Sequence, residues 1–217
     1  MISLTGILSL LSALAATSYA LSCTQCVSTT SYSCSGSSVT CPPGYRCGSA
    51  YTESSVSGER VSVSLFRACI ASHECNFNGS LSIQHGKAKR VTSCCNTNHC
   101  TPTIPPFPTQ SSDPNGVVCR SCISADSTWC YTSDTIQCTG DENMCLLQTT
   151  KIRGSVSAST AVRGCGTKSL CDLGGQLPDI SGLSLKTEFI CTSDGIRVCR
   201  VVLTPAIMCL LLLKWSF

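Results

Sequence analysis

Cys23-Thr24-Gln25-Cys26 opens a run of cysteines whose spacing returns, almost unchanged, from Cys119-Arg120-Ser121-Cys122. From Cys23 the gaps to Cys26, Cys34, Cys41, Cys47, Cys69, Cys75 and Cys94 are 3, 8, 7, 6, 22, 6 and 19. From Cys119 the gaps to Cys122, Cys130, Cys138, Cys145, Cys165, Cys171 and Cys191 are 3, 8, 8, 7, 20, 6 and 20. A register held over seven intervals marks two copies of one disulfide-stapled module, 96 residues apart.

Outward from that pattern, 20 cysteines in 217 residues approach the density of a secreted disulfide scaffold. The cytosol would keep such thiols reduced, so an oxidising route is required. Residues 1–20 supply one: an apolar run ends in Ser18-Tyr19-Ala20, which places small residues three and one before a cut ahead of Leu21. Each module is then too small for a large core, and cross-links must carry much of its stability. Residues 21–100 hold six basic and three acidic side chains, and residues 117–193 hold six and seven. Neither balance suggests nucleic acid.

Arg60-Val61-Ser62-Val63-Ser64-Leu65-Phe66-Arg67 alternates apolar and polar residues, which predicts a half-buried strand with a hairpin tip before it. In the second module, residues 145–150 and 159–163 predict the matching strand and its return. Between the modules, Thr101-Pro102-Thr103-Ile104-Pro105-Pro106-Phe107-Pro108 and the turn-rich residues to Gly116 predict a stiff, then turning, linker over 101–116. A Pro-rich ligand for a partner domain is the other reading of this stretch.

Leu21-Ser22-Cys23-Thr24-Gln25-Cys26 and Cys94-Cys95-Asn96-Thr97-Asn98-His99-Cys100 resemble the start and end of the lymphocyte antigen 6/urokinase receptor, or three-finger, domain. The tandem arrangement is similar to the gamma-type phospholipase A2 inhibitors. The resemblance implies an all-β, disulfide-rich fold of two tandem three-finger domains, at 21–100 and 117–195. It also implies the pairing, which spacing alone leaves open. In module one this is Cys23–Cys47, Cys26–Cys34, Cys41–Cys69, Cys75–Cys94 and Cys95–Cys100. In module two it is Cys119–Cys145, Cys122–Cys130, Cys138–Cys165 and Cys171–Cys191. Fingers are then expected over residues 26–41, 47–69 and 75–94, with equivalents in module two. Two departures stand out. Thr101 follows Cys100 where the family has Asn, and module two lacks the Cys-Cys-x-x-x-x-Cys ending, so its last bond is missing or displaced.

Residues 196–217 form a hydrophobic tail. The apolar stretch 201–213, interrupted by Pro205, is about 20 Å long as a helix, short of the roughly 30 Å hydrocarbon core. It suits a cleaved glycosylphosphatidylinositol (GPI) signal, with Ser193, Asp194 and Gly195 as attachment candidates; a soluble form and a spanning helix are the alternatives. Cleavage there would remove Cys199 and Cys209 together.

Asn78-Gly79-Ser80 is the only N-glycosylation sequon, making Asn78 the expected glycan site. His85-Gly86-Lys87-Ala88-Lys89-Arg90 is a small basic run, either a dock for an acidic partner or anionic headgroups, or a solvated hairpin tip. Trp129 is either an interface anchor or packing for the disulfide knot. Cys23/Cys26 and Cys119/Cys122 have zinc-like or redox-like Cys-x-x-Cys spacing, but an oxidising compartment favours disulfides, so no cofactor or metal is expected. His73, His85 and His99 all lie in module one, and no nucleophile elbow, zinc helix or phosphate loop occurs. The expectation is a non-catalytic extracellular protein that binds a protein partner. The resemblance makes a secreted phospholipase A2 the concrete candidate, and a GPI-anchored receptor or adhesion module the alternative.

Overall fold

The computed structural model describes residues 20–154, 157–173 and 184–193. In module one, β1 (Ser22–Ser28) and β2 (Ser37–Thr40) form the first hairpin, β3 (Tyr45–Val56) and β4 (Glu59–Ala71) the second, and β5 (Asn78–Ile83) and β6 (Gly86–Cys95) the third. The alternating run at 60–67 lies within β4. The tip between β3 and β4 turns at Ser57 (φ 52°) and Gly58 (φ 87°), a left-handed pair that the absent Cβ of Gly58 eases.

Module two comprises β7 (Pro114–Arg120), β8 (Cys122–Ser124), β9 (Thr135–Thr139), β10 (Met144–Arg153), β11 (Ala158–Gly166), the short helix α1 (Lys168–Asp172) and β12 (Ser184–Thr192). Strand β12 pairs with β10, β10 with β11, and β7 with β9. The expected third hairpin of this module contains α1 in its outgoing half, followed by residues 174–183 outside the described set.

Nine disulfides staple these elements: Cys23–Cys47, Cys26–Cys34, Cys41–Cys69, Cys75–Cys94 and Cys95–Cys100 in module one, and Cys119–Cys145, Cys122–Cys130, Cys138–Cys165 and Cys171–Cys191 in module two. Each module is centred on a knot of buried cysteines, Cys23, Cys41 and Cys47 in one and Cys119, Cys138 and Cys165 in the other. Asn98 Oδ1 accepts the Ser22 amide at 3.0 Å, and the His99 amide donates to the Ser22 carbonyl at 2.7 Å. These contacts tie the end of module one back to its first strand.

The modules do not stand apart. Strand β11 pairs with β5 (Cys165 opposite Ser82, Gly166 opposite Leu81), so one ten-stranded sheet runs in the order β12-β10-β11-β5-β6-β3-β4-β1-β2, with β8 beside β11. The stretch expected as a spacer is a strap on that sheet. Ile104 and Phe107 pack against the buried Tyr51, Leu65 and Val91, and Ser93 Oγ donates to the Thr103 carbonyl at 2.7 Å. Strand β7 begins at Pro114, inside that stretch. Phe107 stands 5.6 Å from the Tyr51 ring, which stacks on Tyr32 at 5.2 Å. Burial pushes the Tyr51 phenol up to about 12, with Tyr32 beside it adding to the shift.

Candidate functional site

Two regions bring the chemistry-bearing residues together: the seam between the modules, and an open face of module two. The seam holds β5 on both sides. On one side, Ser80 Oγ donates to Glu142 Oε1 at 2.5 Å, and Lys87 Nζ lies 3.0 Å from the same oxygen. Gln110 of the strap donates to Ser80 Oγ at 2.9 Å, so module one, strap and module two meet in one polar network. Glu142 is 0% exposed and sits on a turn held by Asn115, whose Nδ2 reaches the Gly140 and Glu142 carbonyls at 3.0 and 3.1 Å.

On the other side, Leu81 joins Leu146 and Leu170 of module two in one apolar cluster, with Phe77 and Phe189 against it. The Thr167 amide donates to the Ser80 carbonyl at 3.0 Å, and the Ser80 amide to Thr167 Oγ1 at 3.1 Å. Ser121 Oγ accepts the Gln84 amide at 2.9 Å. Gly164 permits this close approach, because a Cβ there would stand 2.0 Å from the Ser82 carbonyl oxygen.

The basic run of module one is consumed by these contacts, which corrects the reading of it as a solvated tip or a docking patch. Lys87 faces Glu142, Lys89 lies 5.9 Å from the Phe107 ring, and Arg90 lies 5.8 Å from the Phe77 ring. Burial pulls the Arg90 guanidinium below its ordinary value. Of the run, His85 is left exposed at the turn. Asn78 is exposed, but Ser80 of the same sequon is 1% exposed within the seam. His73 and His99 are exposed and isolated from one another.

The open face is set by register. Residues opposite one another in antiparallel strands share a face, and the face recurs every second residue. Ile190, Leu147 and Arg163 form one row across β12, β10 and β11; Glu188, Thr149 and Ala161 the next; and Lys186, Lys151 and Ser159 the third, with Arg153 beyond. At the Ile190 row lies a groove of about 240 Å³ lined by Trp129, Val118, Arg120 and Arg163. Trp129 is 42% exposed, packs edge-on to the exposed Tyr131 at 5.7 Å, and carries the Arg163 guanidinium 5.1 Å from its ring centroid. Trp129 thus lines an open groove whose wall includes the Cys119–Cys145 bond of the knot, so it is both exposed and set beside the knot. Arg120 is held by a hydrogen bond from Nη1 to the Thr132 carbonyl. Lys186 bonds to Glu188 at 2.5 Å and holds its carboxyl below the usual range.

The sulfur trios Cys23/Cys41/Cys69 and Cys119/Cys138/Cys165 lie within metal-like distances, but every member is in a disulfide and has no thiolate to offer. Ser193 is exposed at the end of β12, whereas Asp194, Gly195, Cys199, Cys209 and residues 1–19 lie outside the described residues.

The u-PAR/Ly-6 domain profile matches residues 19–103 and 115–200, taking in both modules. The chain is 36% identical over 114 residues to the phospholipase A2 inhibitor 25 kDa subunit of Naja kaouthia, covering 50% of this chain and 60% of that protein. It is 32% identical over 117 residues to the phospholipase A2 inhibitor NAI of Notechis ater, covering 52% and 58%. It is also 33% identical over 96 residues to the urokinase plasminogen activator surface receptor of Mus musculus, covering 43% and 28%. The matched region thus spans less than two thirds of each of these relatives.

Proposed function

Because this chain belongs to the u-PAR/Ly-6 domain family, we propose that it is an extracellular protein that binds a protein partner through the open face of module two, without catalysis. The observation that carries this reading is the groove at Trp129. Trp129, two arginines and the exposed Ile190 line a concavity there, with Tyr131 edge-on to Trp129 outside it. Tryptophan, tyrosine and arginine are the residue types that dominate binding energy in protein interfaces. Finger three of module one is occupied by the seam, whereas Trp129 and Tyr131 of module two are exposed. The relatives that are phospholipase A2 inhibitors make a secreted phospholipase A2 the first partner to try. Occlusion of the enzyme's lipid-facing surface would be the means of inhibition. The urokinase receptor relative supports a second reading, a GPI-anchored surface receptor with Ser193, Asp194 or Gly195 as attachment point.

The experiment is binding and inhibition across a panel of secreted phospholipases A2 by the purified full chain, with Trp129→Ala alongside. Micromolar or tighter binding that the variant loses supports the inhibitor. Absence of binding across the panel, together with surface staining that phosphatidylinositol-specific phospholipase C releases, would move the reading to the receptor.

A further inference from the structure

The open face of module two has a charge that the module's composition conceals. Residues 117–193 carry six basic and seven acidic side chains, which reads as slightly acidic. The register gathers five of the six cations on one side: Arg163 in the Ile190 row, Lys151 and Lys186 two rows on, Arg153 in the row after, and Arg120 on the groove wall. The sixth, Lys168, faces Asp172 on α1 at 2.7 Å, away from this face. Of the acids, Glu142 is buried in the seam, and Glu188 lies in the described rows of the face. Asp126 lines a concavity at the far end of the face beside Lys151 and Arg153, so three cations there face two carboxylates.

The face is therefore divided along its length. Its base is aromatic and aliphatic, with Trp129, Tyr131 and Ile190 exposed beside the buried Leu147. Six residues of strand separate Leu147 from Arg153, about 20 Å at the rise of a β-strand, and over that distance the surface becomes cationic. Lys151, Arg153 and Lys186 are exposed, and Lys186 alone has an acidic partner within salt-bridge distance.

The geometry points to a protein segment that presents an apolar side chain to the Trp129 groove and carboxylates to the cationic rows beyond it. This rests on the reading of module two as a binding surface and adds the chemistry of what it binds. Charge complementarity selects an acidic partner and repels a basic one, and rim cations act mainly on association rate and on selection among partners. Basic and aromatic residues together also suit an anionic bilayer. The concavity at Trp129 favours an inserted side chain over a flat lipid surface.

The test uses the purified full chain and fluorescein-labelled extended peptides that alternate Glu with Leu, Lys with Leu, or Glu with Ser. Fluorescence anisotropy should show binding of the Glu/Leu peptide alone, weakening as salt is raised. The variant Lys151→Glu/Arg153→Glu/Lys186→Glu should lose about tenfold in affinity, since each reversed exposed charge costs only a modest amount. Trp129→Ala should lose at least as much. These cations are exposed, so the charge variant should fold, which an unchanged content of free thiols would check. Equal binding of the Lys/Leu peptide, no binding of any peptide, or capture by phosphatidylserine vesicles in place of the Glu/Leu peptide overturns the proposal. If a phospholipase or cell-surface partner is lost by Trp129→Ala but unaffected by charge reversal, the charge rule fails and the binding reading stands.

Discussion

Lys87→Met isolates the energetics of the seam. The substitution keeps most of the apolar stem and removes the ammonium 3.0 Å from Glu142, whose side chain is 1% exposed. At an effective dielectric near 20 the lost attraction is roughly 5 kcal/mol, but lysine recovers its hydration when the pair is absent. The Lys87 side chain is 24% exposed, and Ser80 still donates to the carboxylate, so the expected net loss is about 3 kcal/mol, the low end for breaking a buried pair. In a chain of this size that is a fall in Tm of roughly 6–12 °C. Glu142→Leu in the same background removes the stranded charge, and the double variant should return to within about 1 kcal/mol of the parent. Denaturant unfolding with disulfides intact gives the energies. Hydrogen exchange at the Gln84 and Thr167 amides, which both bond across the seam, shows where stability is lost. A single-variant cost below about 1 kcal/mol, or a double variant as damaged as the two singles combined, would refute the account.

Gly164→Val should uncouple the modules, because its Cβ would fall 2.0 Å from the Ser82 carbonyl oxygen; a larger radius of gyration and faster proteolysis within residues 101–112 are expected, with all nine bonds retained. Asn78→Gln should remove a glycan, seen as lost sensitivity to peptide N-glycosidase, and secrete normally, whereas Ser80→Ala should also lower secretion by taking a donor from buried Glu142. Tyr51→Phe should change stability by no more than about 1 kcal/mol, since the buried hydroxyl has no partner other than the neighbouring Tyr32 phenol. The parent should lose stability as pH rises from the ordinary tyrosine value of 10.0 towards about 12, because the folded state holds the phenol proton longer than the unfolded chain does. Absorbance at the tyrosinate band should show this last ionisation coinciding with unfolding, and the variant should lack it. Removing Cys95–Cys100 by paired alanines should cost about 2 kcal/mol and removing Cys41–Cys69 about 3.6, given separations of 5 and 28 residues and the logarithmic dependence on loop length.

The repeated cysteine spacing and the period-two run at 60–67 made the fold class readable, because both are local, repeating signals. The seam was not readable. Ser80, Gly164 and Glu142 carry no periodic pattern, and which exposed edge finds which other edge depends on pairing between residues more than eighty apart in the chain. Lys87, Lys89 and Arg90 looked like a solvent-facing patch because a charge run shows sign but not partner. On the open face, Lys151-Ile152-Arg153 did carry a signal: two cations at period two on a strand share a face. Completing that face required Arg163 and Lys186, which only the register of three strands brings alongside. Trp129 was undecidable from spacing, since a tryptophan next to a cysteine serves a core and a surface equally well.

The single sheet running through both modules has a consequence for how this protein could be divided. Cut between the modules, Leu81-Ser82 of β5 and Cys165-Gly166 of β11 would lose their partners, with Leu81 on one fragment and Leu146 on the other newly wetted. Such margins recruit any strand that can match them. Each half is the guard rail of the other, and a lone half made in quantity would be prone to self-association into stacked oligomers.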